Sequence, residues 1–121
     1  MNKEVTEMKK KTLIGLTERV KITGPEKSRE LTARIDTGAD ICSIDKKLAK
    51  DLGLGPAKEL KKIKSAHGIK KRPVVKARLK MKARKFKGVR FTLADRKHLK
   101  YKALIGKNIL KRSFLIDPSK K

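Results

Sequence analysis

Hydrophobic positions recur at every second residue over much of this chain. Val75, Ala77, Leu79, Met81 and Ala83 alternate with Lys76, Arg78, Lys80 and Lys82, the period of a strand with one buried face. Val89, Phe91 and Leu93 alternate again after Gly88, so the two segments read as an antiparallel hairpin with Gly88 at a turn or bulge. Leu31, Ala33 and Ile35 alternate with Thr32, Arg34 and Asp36, a strand that runs into Asp36. Before it, Thr12 to Leu16 and Val20 to Ile22 read as a first strand or hairpin arm, closed by a turn at Gly24-Pro25. Ile41 to Ile44 resumes the extended pattern, and Asp45 is placed to cap a short helix, Lys46 to Asp51, that ends at Gly53. Leu60 to Ser65, Ala103 to Ile105 and Phe114 to Ile116 complete the set of short strands, with one helical turn at Asn108 to Arg112. Turns are expected at Ala66 to Ile69 and at Asp95 to Leu99. Many short strands with glycine-marked turns predict an all-β, barrel-like domain.

A chain of 121 residues suits one compact domain. Residues 1–11 are polar, end in Lys9-Lys10-Lys11 and read as a flexible basic tail; 12–118 form the domain and 119–121 a C-terminal tail. The aromatic residues are Phe86, Phe91, Tyr101 and Phe114, so the core is built from Leu, Ile, Val and Ala. A core this small gains from a partner subunit. The single cysteine excludes an intrachain disulfide. No apolar run approaches the ~20 residues of a membrane span, and no charged-then-apolar leader is visible; the expectation is a cytoplasmic protein without membrane contact.

Charge changes this picture most. The formal net charge is +24, which attracts polyanions at long range; RNA, the ribosome and acidic protein tails are the candidates. Strand alternation puts Lys76, Arg78, Lys80 and Lys82 on one face, with Arg84, Lys85, Lys87 and Arg90 nearby. That stripe reads either as a solvated face or as a polyanion surface. With few aromatics beside it, phosphate contacts rather than base stacking would dominate.

The chemistry-bearing segment is Asp36-Thr37-Gly38-Ala39 at the end of an alternating strand. A carboxylate must leave the sheet at a sharp turn to meet a substrate. Gly38 permits backbone conformations closed to other residues, Thr37 offers a hydroxyl to brace the loop, and Ala39 allows close approach. Asp36 is also readable as an ordinary turn residue. A second segment, Leu104-Ile105-Gly106-Lys107-Asn108-Ile109-Leu110, follows some 70 residues later.

The pair resembles the two signatures of retropepsins: Asp-Thr-Gly-Ala-Asp, then apolar residues followed by Gly, a basic residue, Asn or Asp, and Leu. With Arg72-Pro73-Val74-Val75, Phe91 to Arg96 and Leu115-Ile116-Asp117-Pro118, nearly the whole chain resembles a small retropepsin-like family labelled "ATP-dependent zinc protease". The residues give that label no support. There is no His-Glu-x-x-His pair and no Gly-rich Lys-Ser/Thr loop, and Cys42, His67 and His98 are scattered; no metal and no cofactor is expected.

The resemblance implies a single-lobe, closed acid-protease β-barrel with one or two short helices. It implies catalytic roles for Asp36, Thr37 and Gly38, and substrate contacts by Ala39 and Asp40. His67, Gly68 and Ile69 are candidates for the flap by position. Asp95, Arg96, Gly106, Lys107 and Asn108 would support the site, Lys107 by pairing with Asp40; the residues alone read Asp95-Arg96 as a turn fixed by a local ion pair, to which the family pattern adds a site-shaping role. Aspartic proteolysis needs two carboxyls sharing a proton, and this chain carries one motif, so the resemblance implies a homodimer. Ala39, lacking a hydroxyl, would leave the dyad with a less acidic optimum. Relatives are linked to ligases that add glutamates to ribosomal-protein tails, which makes a peptide or acidic tail the expected substrate. The alternative is a non-catalytic module of the same fold that binds RNA, the ribosome or an acidic protein.

Overall fold

The computed structural model describes residues 11–121. Within them, nine strands and two short helices follow in chain order: β1 (Thr12–Ile14), β2 (Thr17–Thr23), β3 (Ser28–Ile35), β4 (Cys42–Asp45), α1 (Lys46–Asp51), β5 (Glu59–Ser65), β6 (Gly68–Met81), β7 (Arg84–Ala94), β8 (Ala103–Ile105), α2 (Lys107–Leu110) and β9 (Phe114–Ile116). Of the expected tail, residues 1–10 lie outside the described residues. No helix among the described residues is long and apolar enough to cross a membrane.

Six strands close on themselves in the order β2-β3-β8-β4-β7-β6, because β6 pairs with β2 as well as with β7; β5 lies outside the ring, paired with β6 alone. This is the expected all-β closed barrel with two short helices. The period-two residues fill it: Ile22, Ala33, Ile44, Leu79, Met81, Phe91, Ala103 and Ile105 are at most 2 % exposed. Short strands hold together here because closure leaves few edges unpaired.

The main hairpin differs from the sequence-based expectation in its turn. β6 and β7 are joined at Lys82-Ala83, with Lys82 at φ 58°. Ala83 is therefore exposed in the turn rather than inward. Gly88 lies within β7, where Ala77 pairs with Val89 but Leu79 with Phe86. One extra residue of β7 is accommodated there as a bulge, and Gly88 at φ +60° takes the left-handed conformation this requires.

β1 and β9 form a separate two-stranded parallel ribbon, with Leu13 opposite Leu115. Arg84 anchors its C-terminal half. Its guanidinium donates to the carbonyls of Arg112 (2.7 Å) and Ser113 (3.1 Å) and lies 4.8 Å from the centre of the Phe114 ring and 5.3 Å from that of Phe86. Arg84 thus leaves the basic stripe to which the sequence pattern assigned it, and so does Arg90, which pairs with Glu59.

Arg84→Ala is expected to lower stability by about 2 kcal/mol, through two charge-assisted hydrogen bonds and a cation–ring stack. Arg84→Lys should recover less than half, since an ammonium cannot both stack and fork. Urea unfolding with an unchanged slope would report the loss; an unchanged midpoint for Arg84→Ala would refute it.

Candidate active site

β3 ends at Ile35, and the chain then makes a loop, residues 36–41, before β4. Both strands flanking the loop pair with β8, β3 in parallel and β4 antiparallel. The loop is therefore held at its two ends by one short central strand. The Asp36 N–H donates to the Ile105 carbonyl at 2.9 Å, so Asp36 begins where the sheet ends. Its Oδ1 accepts from the Gly38 N–H at 2.9 Å, and Ala39 N–H closes the turn on the Asp36 carbonyl at 3.3 Å.

Gly38 serves the loop by a close approach rather than by conformational freedom. Its φ lies outside the left-handed region, but an added Cβ would sit 3.2 Å from Asp36 Oδ1. The glycine keeps the carboxylate uncrowded and brings its own N–H to it. Thr37 is exposed, and its hydroxyl makes no hydrogen bond among the described residues, so it does not brace the loop within the chain.

The loop is clamped from the far side by the turn after β8. Lys107 N–H donates to the Ala39 carbonyl (2.8 Å) and Asn108 N–H to the Asp40 carbonyl (3.0 Å). The Asn108 carboxamide accepts from Cys42 N–H (3.0 Å) and donates to the Arg90 carbonyl (3.1 Å). Gly106 makes the contact possible: a Cβ there would lie 2.6 Å from the Ile41 carbonyl carbon and 2.9 Å from the Ala39 oxygen. Cys42 is packed under this clamp. Burial pushes its thiol up to about 12, partly opposed by the Gly106 N–H and Asn108, so it stays protonated and inert. Lys107 Nζ reaches Asp40 Oδ1 at 3.3 Å, with both side chains more than half exposed. A pair so solvated adds at most about 1 kcal/mol.

Asp95 and Arg96 do not form the expected ion pair. Asp95 instead accepts from the Lys97 N–H, and Arg96 Nε donates to the Tyr101 carbonyl at 2.9 Å. The Arg96 N–H is taken by Asp45, which also caps α1 through the Leu48 N–H. Burial works against the Asp45 charge, but the N–H groups of Arg96, Leu48 and Lys47, with Lys102, outweigh it and hold the carboxyl below the usual carboxylate range. Arg96 is half-buried. Burial, then Arg72 and Arg34, lower its pKa, while Asp36 and Asp45 raise it.

A cavity of about 550 Å³ opens beside Asp36. Its floor is Asp36, Gly38, Ala39 and Asp40; its other wall is the β5–β6 hairpin through Lys61 to Lys64 and Arg72. His67, Gly68 and Ile69, the residues expected to form a flap, are the exposed tip of that hairpin. The residues that face the cavity are further down its arms. Cross-strand pairing of Lys61 with Arg72 and of Lys62 with Lys71 brings these cations together, and one-dimensional periodicity does not reveal it. Among the described residues, no group of three or more His, Cys, Asp or Glu side chains converges as a metal site would.

A closed six-stranded barrel with an Asp-Thr-Gly loop and a covering hairpin defines a single retropepsin-like lobe. A family described as RimB-like, retropepsin-like aspartic endopeptidase RimB, matches residues 53–121, and the chain belongs to that family. The description names an aspartic endopeptidase and mentions neither zinc nor ATP. The matched segment holds the hairpin and the Gly106-Lys107-Asn108 clamp, while Asp36 lies before it. Among solved structures, EIAV protease complexed with the inhibitor HBY-793 is similar at 24% identity and TM-score 0.62, over 79% of this chain and 85% of that one. The Simian Foamy Virus (mac) protease is similar at 21% identity and TM-score 0.57, over 78% and 91%. Lpg0085 of Legionella pneumophila, a protein of unknown function (DUF785), is similar at 20% identity and TM-score 0.58, over 89% and 94%. These likenesses concern the fold. No curated protein matches the chain.

Asn108→Asp is expected to destabilise the protein by about 1–3 kcal/mol, because a carboxylate would face the Arg90 carbonyl where an N–H donor now sits. Amide hydrogen exchange at residues 39–42 should accelerate in parallel. Unchanged exchange there would show that the clamp does not hold the loop.

Proposed function

We propose that this protein is an aspartic endopeptidase that acts as a homodimer, each chain contributing Asp36 to one shared site. The observation that carries the reading is the setting of Asp36: a half-buried carboxylate on a clamped loop, bonded to a backbone N–H and open to a cavity beneath a hairpin. The other carboxylate lining that cavity, Asp40, is engaged with Lys107. One chain therefore offers one uncommitted carboxylate, and Asp36 of a second copy supplies the other. Leu13, Leu16 and Leu115 are exposed on and beside the β1–β9 ribbon, and the Leu16 carbonyl accepts from Ile35 N–H, next to Asp36. Apolar surface at that place supports burial against a second copy.

In this mechanism the ionised carboxylate takes a proton from a water molecule, whose oxygen attacks the peptide carbonyl carbon. The protonated carboxyl donates to the carbonyl oxygen, giving a tetrahedral diol. Collapse returns a proton to the leaving nitrogen and breaks the C–N bond. Ala39 and Asp40 flank the attacked bond, with Asp40 accepting substrate N–H groups, while the tip residues His67, Gly68 and Ile69 close over it. Gly106, Lys107 and Asn108 act by holding the loop, and Arg96 by fixing the neighbouring turn through Tyr101 and Asp45. Lys61, Lys62, Lys64 and Arg72 along the cavity wall favour an acidic peptide or protein tail.

Asp36→Asn should reduce peptide hydrolysis by at least ~10³-fold while leaving circular dichroism and sedimentation unchanged. Specific activity should fall on dilution as the dimer dissociates; an isolated monomer that cleaves in an Asp36-dependent way would sink the shared-site mechanism.

Ala39→Ser would place a hydroxyl beside the dyad, where it can donate to the ionised form and lower its pKa. Activity needs one ionised carboxyl, so the acidic limb of the pH–rate profile should move to lower pH. A limb that stays in place would argue that position 39 does not tune the dyad.

A further inference from the structure

β6 changes partner part-way along its length, and the exchange leaves a gap. It pairs with β5 from Gly68 to Val74 and with β2 from Arg78 to Met81. Over Val75–Ala77 it is therefore paired on its β7 side alone. Ser65 pairs with Gly68 across a two-residue turn, so Gly68 and every second residue after it, Lys76 included, direct N–H and carbonyl toward the β5 and β2 side. Among the described residues, no backbone hydrogen bond joins Lys76 to either strand or to the turns that flank them. An open length of strand edge offers a donor and an acceptor to a further extended segment.

Two hollows, of about 560 and 420 Å³, open on the gap, and Pro25 and Lys76 line both. The larger has an apolar lining of Pro25, Leu54, Pro56 and Val74, with Lys58 beside it. The smaller adds Arg78, and Gly88 at the bulge contributes no side chain to fill it. Lys58, Lys76 and Arg78 are exposed and form no salt bridge among the described residues. Of the carboxylates close by, Glu59 lines the larger hollow but is engaged with Arg90, and Glu26, next to Pro25, lies against Gly53.

These features together select one kind of occupant. An open strand edge needs a backbone with both donors and acceptors. A phosphate, whether of nucleic acid or of lipid, offers acceptors alone. An apolar hollow takes an apolar side chain, which a nucleic-acid backbone does not carry. Uncommitted cations beside both call for carboxylates. We propose that this gap is a docking site for an extended acidic segment of a partner protein. The segment adds its backbone at Lys76, places one apolar side chain in the larger hollow and sets carboxylates against Lys58 and Arg78. The site shares no lining residue with the cavity beside Asp36 and is independent of the peptidase reading.

The test is an NMR titration of the full chain, carrying Asp36→Asn so that no peptide is cleaved. The probe is a short peptide with one leucine flanked on both sides by glutamates, and the reporter is the backbone amide of Lys76. That amide should shift on binding and its hydrogen exchange should slow, while the amides of Lys46 and Lys47 on α1 stay as they were. Exchanging the peptide's leucine for serine should weaken binding roughly 10-fold or more. Lys58→Gln with Arg78→Gln should weaken it roughly 3- to 30-fold at low ionic strength. Lys61→Gln with Lys62→Gln, on the wall of the other cavity, should change the affinity read at Lys76 by less than about 2-fold. Binding that leaves the Lys76 amide unprotected would overturn the proposal, and so would a leucine-free peptide or an RNA duplex that binds there as tightly. A larger loss from the Lys61 and Lys62 changes than from those at Lys58 and Arg78 would place the peptide beside Asp36 instead and overturn it too. The exchange measurement needs no substitution near the gap, so it holds whether or not the Lys58 and Arg78 variant folds.

Discussion

The carboxamide of Asn108 joins three segments that are distant in sequence: the start of β4 through Cys42 N–H, the middle of β7 through the Arg90 carbonyl, and its own turn after β8. Asparagine suits the place because it offers an acceptor and a donor in one plane. Either group left buried and unpaired would cost about 1–3 kcal/mol. Around it, Gly106 lets two backbones approach to a distance that no Cβ would tolerate, and the N–H groups of Lys107 and Asn108 take up the carbonyls of Ala39 and Asp40. The loop bearing Asp36 is thus tied through its own backbone at residues 36, 39 and 40, with the Asp36 and Asp40 carboxylates adding one contact each. A carboxylate that must meet another group to within a hydrogen bond needs such a base, since a loop positioned only by its strands would wander by more than catalysis tolerates.

The barrel supplies the frame for that clamp. β8 is three residues long yet sits between β3 and β4. It therefore fixes the entry to the loop through Ile35 and Asp36 and the exit through Ser43 and Ile44. Closure through the β2–β6 pairing gives the short strands neighbours on both sides. The hairpin made by β5 and the first half of β6 extends from the ring and faces the loop across the cavity. A rigid floor and a projecting cover are then parts of one sheet.

Charge is divided among distinct roles over this frame. Arg84 and Arg90 are used structurally, one against Phe86, Phe114 and two carbonyls, the other against Glu59. Lys102 draws the 96–102 loop together by donating to the carbonyls of Arg96, Lys97 and Leu99. Two further groups of cations stand apart from these structural contacts, the set along the cavity wall and Lys58, Lys76 and Arg78 around the gap in the pairing of β6. Their separation on the surface allows one to bear on whatever enters the cavity and the other on a partner outside it.

Strand periodicity, glycine placement and the Asp45 cap made most elements legible in the chain, because each depends on residues close in sequence. Local signals also located the loop at Asp36 and the segment at Gly106 to Asn108, and the family resemblance linked the two. Other features arise only when distant strands are brought into register. The turn at Lys82-Ala83 is one: the bulge at Gly88 shifts the pairing, and a two-residue period runs through the turn without marking it. The engagement of Asp95 with Lys97 N–H and of Arg96 with Tyr101 and Asp45 is another, since adjacency in sequence says nothing about which way two side chains turn. The cationic wall facing Asp36 and the gap at Lys76 belong to the same class. Alternation along the chain determined which residues share a face of their own strand; only tertiary pairing decided which charges stand next to one another, because repulsion and binding depend on distances in space that no single strand contains.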